Sequence, residues 1–398
     1  MPGAHAKLSP SGSSRWLNCP GSVRMTANLE NKSGDAAFRG TVIHQAGENI
    51  LLGEECHAGI SITIEGESKA EWLAKDMFEE ADFYAKYVMD LASRCPNSEM
   101  IAEMKVDLTD IADETFGHSD AVVIENGNLH IIDLKTGAGL VSAKDNSQLM
   151  LYGHGAFKEL EMFHDIENIV FHIVQNNSKT GSDKSNSHTI IIDELIDWID
   201  EIVKPAAKMA LTEDAICVPG DSQCQWCQAA SFCPALMDQV EDMFDELTEN
   251  HQNENIKHIG EVVPLEKALN FYKSVSLITT WMKAIENRIF DKLELGEDIP
   301  GYKLVKKIKH KKWTDESEAY EKLKSWEKLD DIAPRKLVTP NQAEKILGKM
   351  TAPKTKKFND LWIRPQGELT IALESDKRPA EKPVIEEFDI IDDDNDDL

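Results

Sequence analysis

The sequence predicts a mixed α/β fold, on three observations. Short runs of β-branched and apolar residues are grouped mid-chain, at MIAEMKVDL, DAVVIE, NLHIIDL and ENIVFHIVQN. Stretches with the helical apolar period and good helix formers flank them. A length of 398 residues with 41% hydrophobic content supports one large or two medium domains with ordinary packed cores. The expected architecture is a central mixed sheet flanked by helices, followed by a helical or α+β extension.

Taken in chain order, residues 1–40 are rich in Ser, Gly and Asn with little periodicity, and GTVIHQAGENILLG then predicts a helix opening near Thr41. Residues 69–94 carry the helical period, and the three strand-like runs follow. A helix is expected over 146–160, a strand at ENIVFHIVQN, and a helix at IIDELIDWIDEIVKPAAKMAL. Residues 261–295 read as one long helix or two joined ones, 296–313 as a loop leading into a basic strand, 315–349 as helical pieces and 376–398 as disordered. These segments give a core over 1–240, an accessory region over 241–375 and an acidic tail.

The formal net charge is -28, which argues against a protein held to nucleic acid by its overall field. Nucleic-acid contacts would have to come from local patches. Part of the acidity sits in VIEEFDIIDDDNDDL, an expected solvated tail. No apolar run is long enough for a membrane span, and MPGAHAKLSPSGSSRW lacks the apolar core of a signal peptide, so the expected compartment is the cytoplasm. Seven cysteines, four of them within residues 217–233, then point to metal rather than disulfides.

The most informative stretch is VVIENGNLHIIDLKTG. Asn126-Gly127 is a strong signal for a two-residue turn with positive φ at both positions. With that turn Glu125 pairs with Asn128, and counting outward sets Asp120 opposite Asp133 on one face of the hairpin. Two carboxylates so placed repel unless a positive charge lies between them, and a hard divalent cation meets that need. Lys135, two residues beyond Asp133, points the same way. An isolated D-x-K is usually a solvated pair; here HIIDL is an apolar strand, and a buried carboxylate needs a partner.

These residues resemble the PD-(D/E)XK nuclease superfamily, with its restriction-endonuclease-like core. The resemblance implies that Asp120 and Asp133 bind Mg²⁺ or Mn²⁺ while Lys135 assists the attacking water. Three further elements resemble the RecB-like branch. Arg39-Gly40-Thr41-Val42-Ile43-His44 is similar to its G-T-x-x-H helix, whose histidine joins the metal site. Glu103 stands where that branch often carries an acidic residue. Gln148 and Tyr152 match its Q-x-x-x-Y motif, on one helical face, and are expected to position the DNA strand.

Cys224, Cys227 and Cys233 form C-x2-C-x5-C, three thiolates that leave a four-ligand site open. Cys217 is the nearest fourth candidate. Resemblance to the iron–sulfur RecB-like nucleases, the AddB subunit and the CRISPR-adaptation exonucleases, implies Cys19 instead, with a [4Fe-4S] cluster tying the two ends of the domain together. Spacing alone favours Zn²⁺. Cys56 and Cys95 read as buried free thiols.

Beyond the core, GYKLVKKIKHKKW places Lys306, Lys307, Lys309, Lys311 and Lys312 beside Trp313. On one strand these would make a basic stripe with an aromatic end, suited to a nucleic-acid backbone and a stacked base. The stripe, with PGYKLV and LTIALESDKRPA, is similar to a phage and prophage family of RecB-like proteins, most of unknown function. The expected activity is a metal-dependent DNA exonuclease acting on linear ends in phage recombination or replication, in the bacterial host cytoplasm. Expected partners are DNA and a phage recombinase or single-strand-binding protein. The rival expectation is a nuclease-like fold that grips DNA ends or a recombinase without chemistry.

Overall fold

The computed structural model describes residues 6–29, 34–64, 70–137, 139–177, 182–248, 265–308, 310–324, 338–365 and 369–380. Lys309 and the acidic tail from 381 onward lie outside the described residues. The chain divides into two compact units, Met1–Met282 and Lys283–Leu398.

In the first unit, helices α1 (Asp35–Leu51) and α2 (Lys75–Ala92) precede strands β1 (Glu99–Asp107), β2 (Phe116–Glu125) and β3 (Asn128–Leu134). Helix α3 (Ser147–Leu160), β4 (Asn168–Val174), β5 (Asn186–Ile191), α4 (Ile192–Trp198), α5 (Lys204–Ala210) and α6 (Pro234–Thr248) follow, and α7 (Leu265–Glu294) spans the division. The five strands form one mixed sheet in chain order, antiparallel except for the parallel pair β3 and β4, whose crossover carries α3. Asn126 and Gly127 have φ of 45° and 76°, and Glu125 pairs with Asn128. This is the turn that an Asn-Gly pair favours.

The sheet is covered on both faces. Val122, Ile124, Leu129, Ile131 and Phe171 pack with α3 and the α4 to α5 stretch. Ala121, Val123, Ile132, Leu134 and Val174 pack with α1 and α2. Two covered faces explain why β3 and β4 read as nearly continuous apolar runs.

Several expectations differ from the fold. Helix α1 opens at Asp35 rather than near Thr41, after Gly34 in extended backbone, so its first turn lies in the stretch that shows little periodicity. Residues 70–72 are not the start of a helix but a strand, Ala70–Trp72, paired with Ser61–Thr63; the pairing overrides local helix propensity, and α2 opens only at Lys75. Strand β5 escaped the sequence pattern because it is a short edge strand of half-exposed polar residues. The helix after it bulges into a π turn over Ile199–Val203, directly before Pro205, which has no N–H to give.

The second unit contains β6 (Tyr302–Lys306), β7 (Lys312–Trp313), α8 (Glu316–Leu323), α9 (Pro340–Leu347), α10 (Ala352–Asn359), β8 (Trp362–Ile363) and β9 (Leu369–Leu373). β6 pairs with β9, and β7 with β8, so the expected single basic strand is two strands in two sheets. Trp313 and Trp362, from β7 and β8, pack against the unit's small core of Ala319, Leu323, Ala343, Phe358 and Leu361. Trp313 lies edge-on to Phe358 at 5.8 Å, and its indole N–H donates to the Val338 carbonyl at 2.6 Å. Lys311 sits 4.1 Å over the Trp362 ring and is ion-paired with Glu344. Asp376 and Arg378, in the segment expected to be disordered, close a turn in which the guanidinium donates to both carboxylate oxygens.

Candidate active site

The hairpin register brings Asp120 and Asp133 to the rung beyond the last ladder pair, Ala121 with Ile132. Asp120 Oδ2 there accepts from the Leu134 backbone N–H at 2.7 Å, so a side chain continues what the ladder ends. On the other side of β2, Ala102 pairs with Ala121 and Met104 with Ser119, which puts Glu103 level with Asp120. Three carboxylates therefore stand in a row across β1, β2 and β3. Glu103 has φ of 48°, a left-handed conformation that costs a non-glycine residue about 1 kcal/mol or more. That residue also resets the pleat: Ile101 packs with the α3-side core and Ala102 with the other, yet Met104 and Val106 return to the α3 side.

Helix α1 supplies His44, whose Nδ1 is 3.2 Å from Asp120 Oδ1. It can lie this close because Gly40, one turn earlier, faces Thr136: a Cβ there would sit 3.1 Å from Thr136 Oγ1. Helix α3 supplies Gln148 and Tyr152. Its start is fixed by Asn146, whose side chain accepts from the backbone N–H groups of Gln148 and Leu149. Gln148 then bridges the site: its Nε2 donates to Asp133 Oδ1 and to the Tyr152 hydroxyl, both at 3.1 Å, and its Oε1 accepts from Lys135 Nζ at 3.0 Å. Lys135 Nζ is also 2.8 Å from Asp133 Oδ2.

The electrostatics follow from burial and like charge. Burial first, then the nearby Asp120 charge, raises the Asp133 carboxyl to about 6 despite Lys135. Burial, Asp120 and Glu48 raise Glu103 to about 7. Burial would raise Asp120 too, but the His44 charge and hydrogen bond with the Leu134 N–H outweigh it and hold Asp120 below the usual carboxylate range. Burial disfavours the His44 imidazolium, yet Asp120 and Asp133 more than compensate and lift it to about 9. Glu48 went unnoticed in the sequence; it lies one helical turn beyond His44, and that spacing was the available signal.

In the same unit, Cys19, Cys217, Cys224, Cys227 and Cys233 line one small pocket. Cys19 Sγ accepts from the Val218 N–H at 3.2 Å, and Cys224 Sγ from the Gly220 N–H at 3.4 Å. Burial, with the neighbouring thiols behind it, pushes Cys217 up to about 12 and Cys224 to about 11. Both candidates for the fourth thiolate are therefore in the same pocket. Cys56 and Cys95 lie elsewhere and are half-exposed rather than buried, Cys95 accepting from Asn126 Nδ2 at 2.8 Å. Among the described residues, no three His, Cys, Asp or Glu side chains form a closed metal-ligand group.

Lys306, Lys307 and Lys312 lie in the second unit, with Lys312 exposed. Lys311 and Trp313 are engaged in packing there, as described above.

Three solved structures are similar to part of the chain. They are a candidate exonuclease from Eubacterium rectale (14% identity over 51% of this chain and 80% of that one, TM-score 0.30), the protein SSO0001 (13%, 58% and 88%, TM-score 0.26) and an alkaline exonuclease, LHK-Exo, from Laribacter hongkongensis (13%, 50% and 90%, TM-score 0.23). Likenesses at these scores assign no chemistry to this chain. The family match is far more extensive: the DUF2800 family model, described as a protein of unknown function, fits residues 5–379, and the chain belongs to that family.

Proposed function

We propose that the protein is a metal-dependent DNA nuclease, an exonuclease acting on linear ends, with a core of the PD-(D/E)XK type. The observation that carries this reading is the row of Glu103, Asp120 and Asp133 set against Lys135 and His44. Asp133 Oδ2 is buried and accepts no hydrogen bond, its neighbour of opposite charge being Lys135. Oxygen donors with excess negative charge in a buried place suit a hard divalent cation such as Mg²⁺ or Mn²⁺. Asp120 and Asp133 would hold it, with His44 and Glu103 beside them.

A divalent cation there supplies Lewis acidity toward a phosphoryl oxygen and an attacking water. The chain's own groups do the remaining work. Lys135, held by Asp133 and Gln148, presents its ammonium where it can orient a water and stabilise negative charge on phosphate. Glu103, raised to about 7, can take a proton near neutral pH. Gln148 holds Lys135 and Asp133 together and is in turn held by the cap at Asn146.

The cysteine pocket supports a second metal centre. Cys19, Cys224, Cys227 and Cys233 would hold a [4Fe-4S] cluster, with Zn²⁺ the structural alternative. Such a centre would tie residue 19 to residues 224–233 and stabilise the unit by closing a long loop. Brown, anaerobically purified protein absorbing at about 400 nm supports iron–sulfur; colourless protein with zinc decides for the alternative.

The test of the function uses linear single- and double-stranded DNA, labelled separately at each end, with Mg²⁺ or Mn²⁺. Metal-dependent shortening by wild type and none by Asp133→Ala is expected. Intact DNA that still binds the protein would replace the enzyme with a DNA-end or recombinase-binding module. A phage recombination setting is part of the proposal, tested by pull-down of a recombinase or single-strand-binding protein.

A further inference from the structure

The connection from β3 to α3 serves the candidate site at both ends: it begins at Lys135 and closes on the Asn146 cap and Gln148. Chain that is neither strand nor helix has no ladder to take up its peptide groups, so their other partners decide how firmly it is held. Here two side chains act as partners, Gln175 directly after β4 and Asn186 at the start of β5. Gln175 is buried; its Nε2 donates to the carbonyls of Gly137 and Gly139, both at 2.7 Å, and its Oε1 accepts from the Val141 N–H at 3.3 Å. Asn186 Oδ1 accepts from the Ala143 N–H at 2.7 Å, and its Nδ2 donates to the Val141 carbonyl at 2.9 Å.

The two amides hold different stretches. Val141 and Ala143 pack with the α3-side core, so Asn186 secures chain that burial also secures. Gly137 and Gly139 are exposed, and a Cβ on either would meet no atom within 4 Å among the described residues. Neither is left-handed, so no conformation reserved to glycine fixes the chain there. What ties their carbonyls inward is the Gln175 amide. Gln175 is anchored in turn: its backbone N–H donates to Ser185 Oγ at 3.1 Å, and its carbonyl accepts from the Lys184 N–H at 2.8 Å. One residue earlier, the Val174 carbonyl accepts from the Lys135 N–H at 2.9 Å. Val174 and Gln175 together therefore grip the chain at Lys135 and just beyond it.

We propose that Gln175 is a positioning residue: its amide fixes the chain leaving β3, so that the Lys135 ammonium stays seated between Asp133 and Gln148. The consequence for catalysis rests on the nuclease reading; the hold on Lys135 does not. The competing account is a buried amide that only completes the fold, and Asn186, which bonds the same connection without reaching Gly137 or Gly139, gives the measure of that.

The test compares the full chain with Gln175→Met, which keeps the bulk and removes the amide, and with Asn186→Leu. In metal-dependent cleavage of linear DNA, Gln175→Met should lower kcat about ten- to a hundredfold with KM little changed, the cost of a misplaced group. Asn186→Leu should lower the melting temperature, because it strands buried peptide groups, and keep kcat within about twofold of wild type. Hydrogen exchange, measured without metal or DNA, should quicken about tenfold or more at the Lys135 and Val141 amides of Gln175→Met while the β3 ladder keeps its rate. Gln175→Asn, the same amide one methylene shorter, is the second variant should methionine at this buried position prevent folding, and it should show both effects at smaller size. A kcat in the Gln175 variants equal to that of wild type, or an equal loss in Asn186→Leu, overturns the proposal. Absence of cleavage by wild type in any metal removes the nuclease instead, and exchange then decides alone: faster rates at Lys135 and Val141 keep the hold of Gln175 on Lys135, and unchanged rates end it.

Discussion

The five-stranded sheet buries a polar cluster on each face, and the two are built in opposite ways. On the α3 side, Asp120 and Asp133 meet His44, Lys135 and Gln148. On the α1 and α2 side, the Tyr87 hydroxyl shares a hydrogen bond with His172 Nδ1 at 2.9 Å, and His172 Nε2 shares one with His130 Nδ1 at 2.9 Å. His130 and Asp133 are three residues apart on one strand and face opposite ways. Burial, with His130 and Arg94 behind it, lowers His172 to about 3, and burial lowers His130 as well. The two histidines are held neutral and joined by those hydrogen bonds, while the largely buried Glu125 carboxylate lies 3.4 Å from His130 Nε2, which itself makes no hydrogen bond among the described residues. The acid row holds more negative charge than its two cations offset. Burial of polar groups is common to both clusters, and the one that gathers three carboxylates against two cations calls for a cationic ligand.

The largest effect should separate the two clusters outright. Asp133→Asn should lower cleavage by at least about a thousandfold, the scale at which essential site groups act, and still raise stability in chelator. The folded carboxyl titrates near 6, above its ordinary range, so the charged form is penalised above that pH and the penalty vanishes as pH falls toward 4. The variant should therefore gain on the order of 1–2 kcal/mol at pH 8 and nothing at pH 4, read by urea unfolding. A loss of stability at pH 8 would break the claim that this carboxylate is electrostatically uncompensated.

The histidine cluster should respond to pH with the opposite sign. His172 is held neutral, its folded pKa far below the unfolded value of about 6.5, so its contribution is fully present above pH 6.5 and declines as pH falls toward 3. Wild type should lose on the order of 3 kcal/mol across that window relative to His172→Leu. Parallel curves for the two proteins would show that His172 is not held neutral by the fold. Cleavage at pH 7.5 should be little changed, since this cluster faces away from the acid row.

The second unit gives a smaller version of the same contrast between neighbouring lysines. Lys311 is largely covered, ion-paired with Glu344 and seated on Trp362, whereas Lys312 is exposed. Lys311→Ala should cost about 1–2 kcal/mol, and Lys312→Ala should leave the melting temperature where it was. If the basic segment also serves nucleic acid, Lys312→Ala should lower DNA affinity and flatten its salt dependence.

Much of the acid row was legible because two-residue turns fix register: once Asn126-Gly127 is a turn, the rung holding Asp120 and Asp133 follows by counting. The i, i+4 rule likewise placed Gln148 and Tyr152 on one face of α3. What escaped depended on long-range geometry. Nothing local marks Glu103 as left-handed, since glutamate has no preference for that region, and its alignment with Asp120 depends on how β1 meets β2. Cys19 and Cys217 could not be ranked by spacing, and the fold brings both to one pocket. The basic segment looked like one strand because alternation is a local property, but its lysines and tryptophan are divided between two small sheets.

The smallest effect tests whether that site is held from a distance. Asn146 touches neither Asp133 nor Lys135; it caps α3 by accepting from Gln148 and Leu149. Removing such a cap costs about 1 kcal/mol, and a carboxylate or hydroxyl at the same position restores most of it. Asn146→Ala should therefore destabilise slightly and also let the first turn of α3 fray, where Gln148 reaches across to Asp133 and Lys135. A purely structural cap would change melting alone. A cap that positions Gln148 should also lower kcat several-fold with KM little changed, and Asn146→Asp should rescue both. If kcat recovers no better in Asn146→Asp than in Asn146→Ala while stability does, Gln148 is held by Lys135 and Tyr152 without help from the helix start.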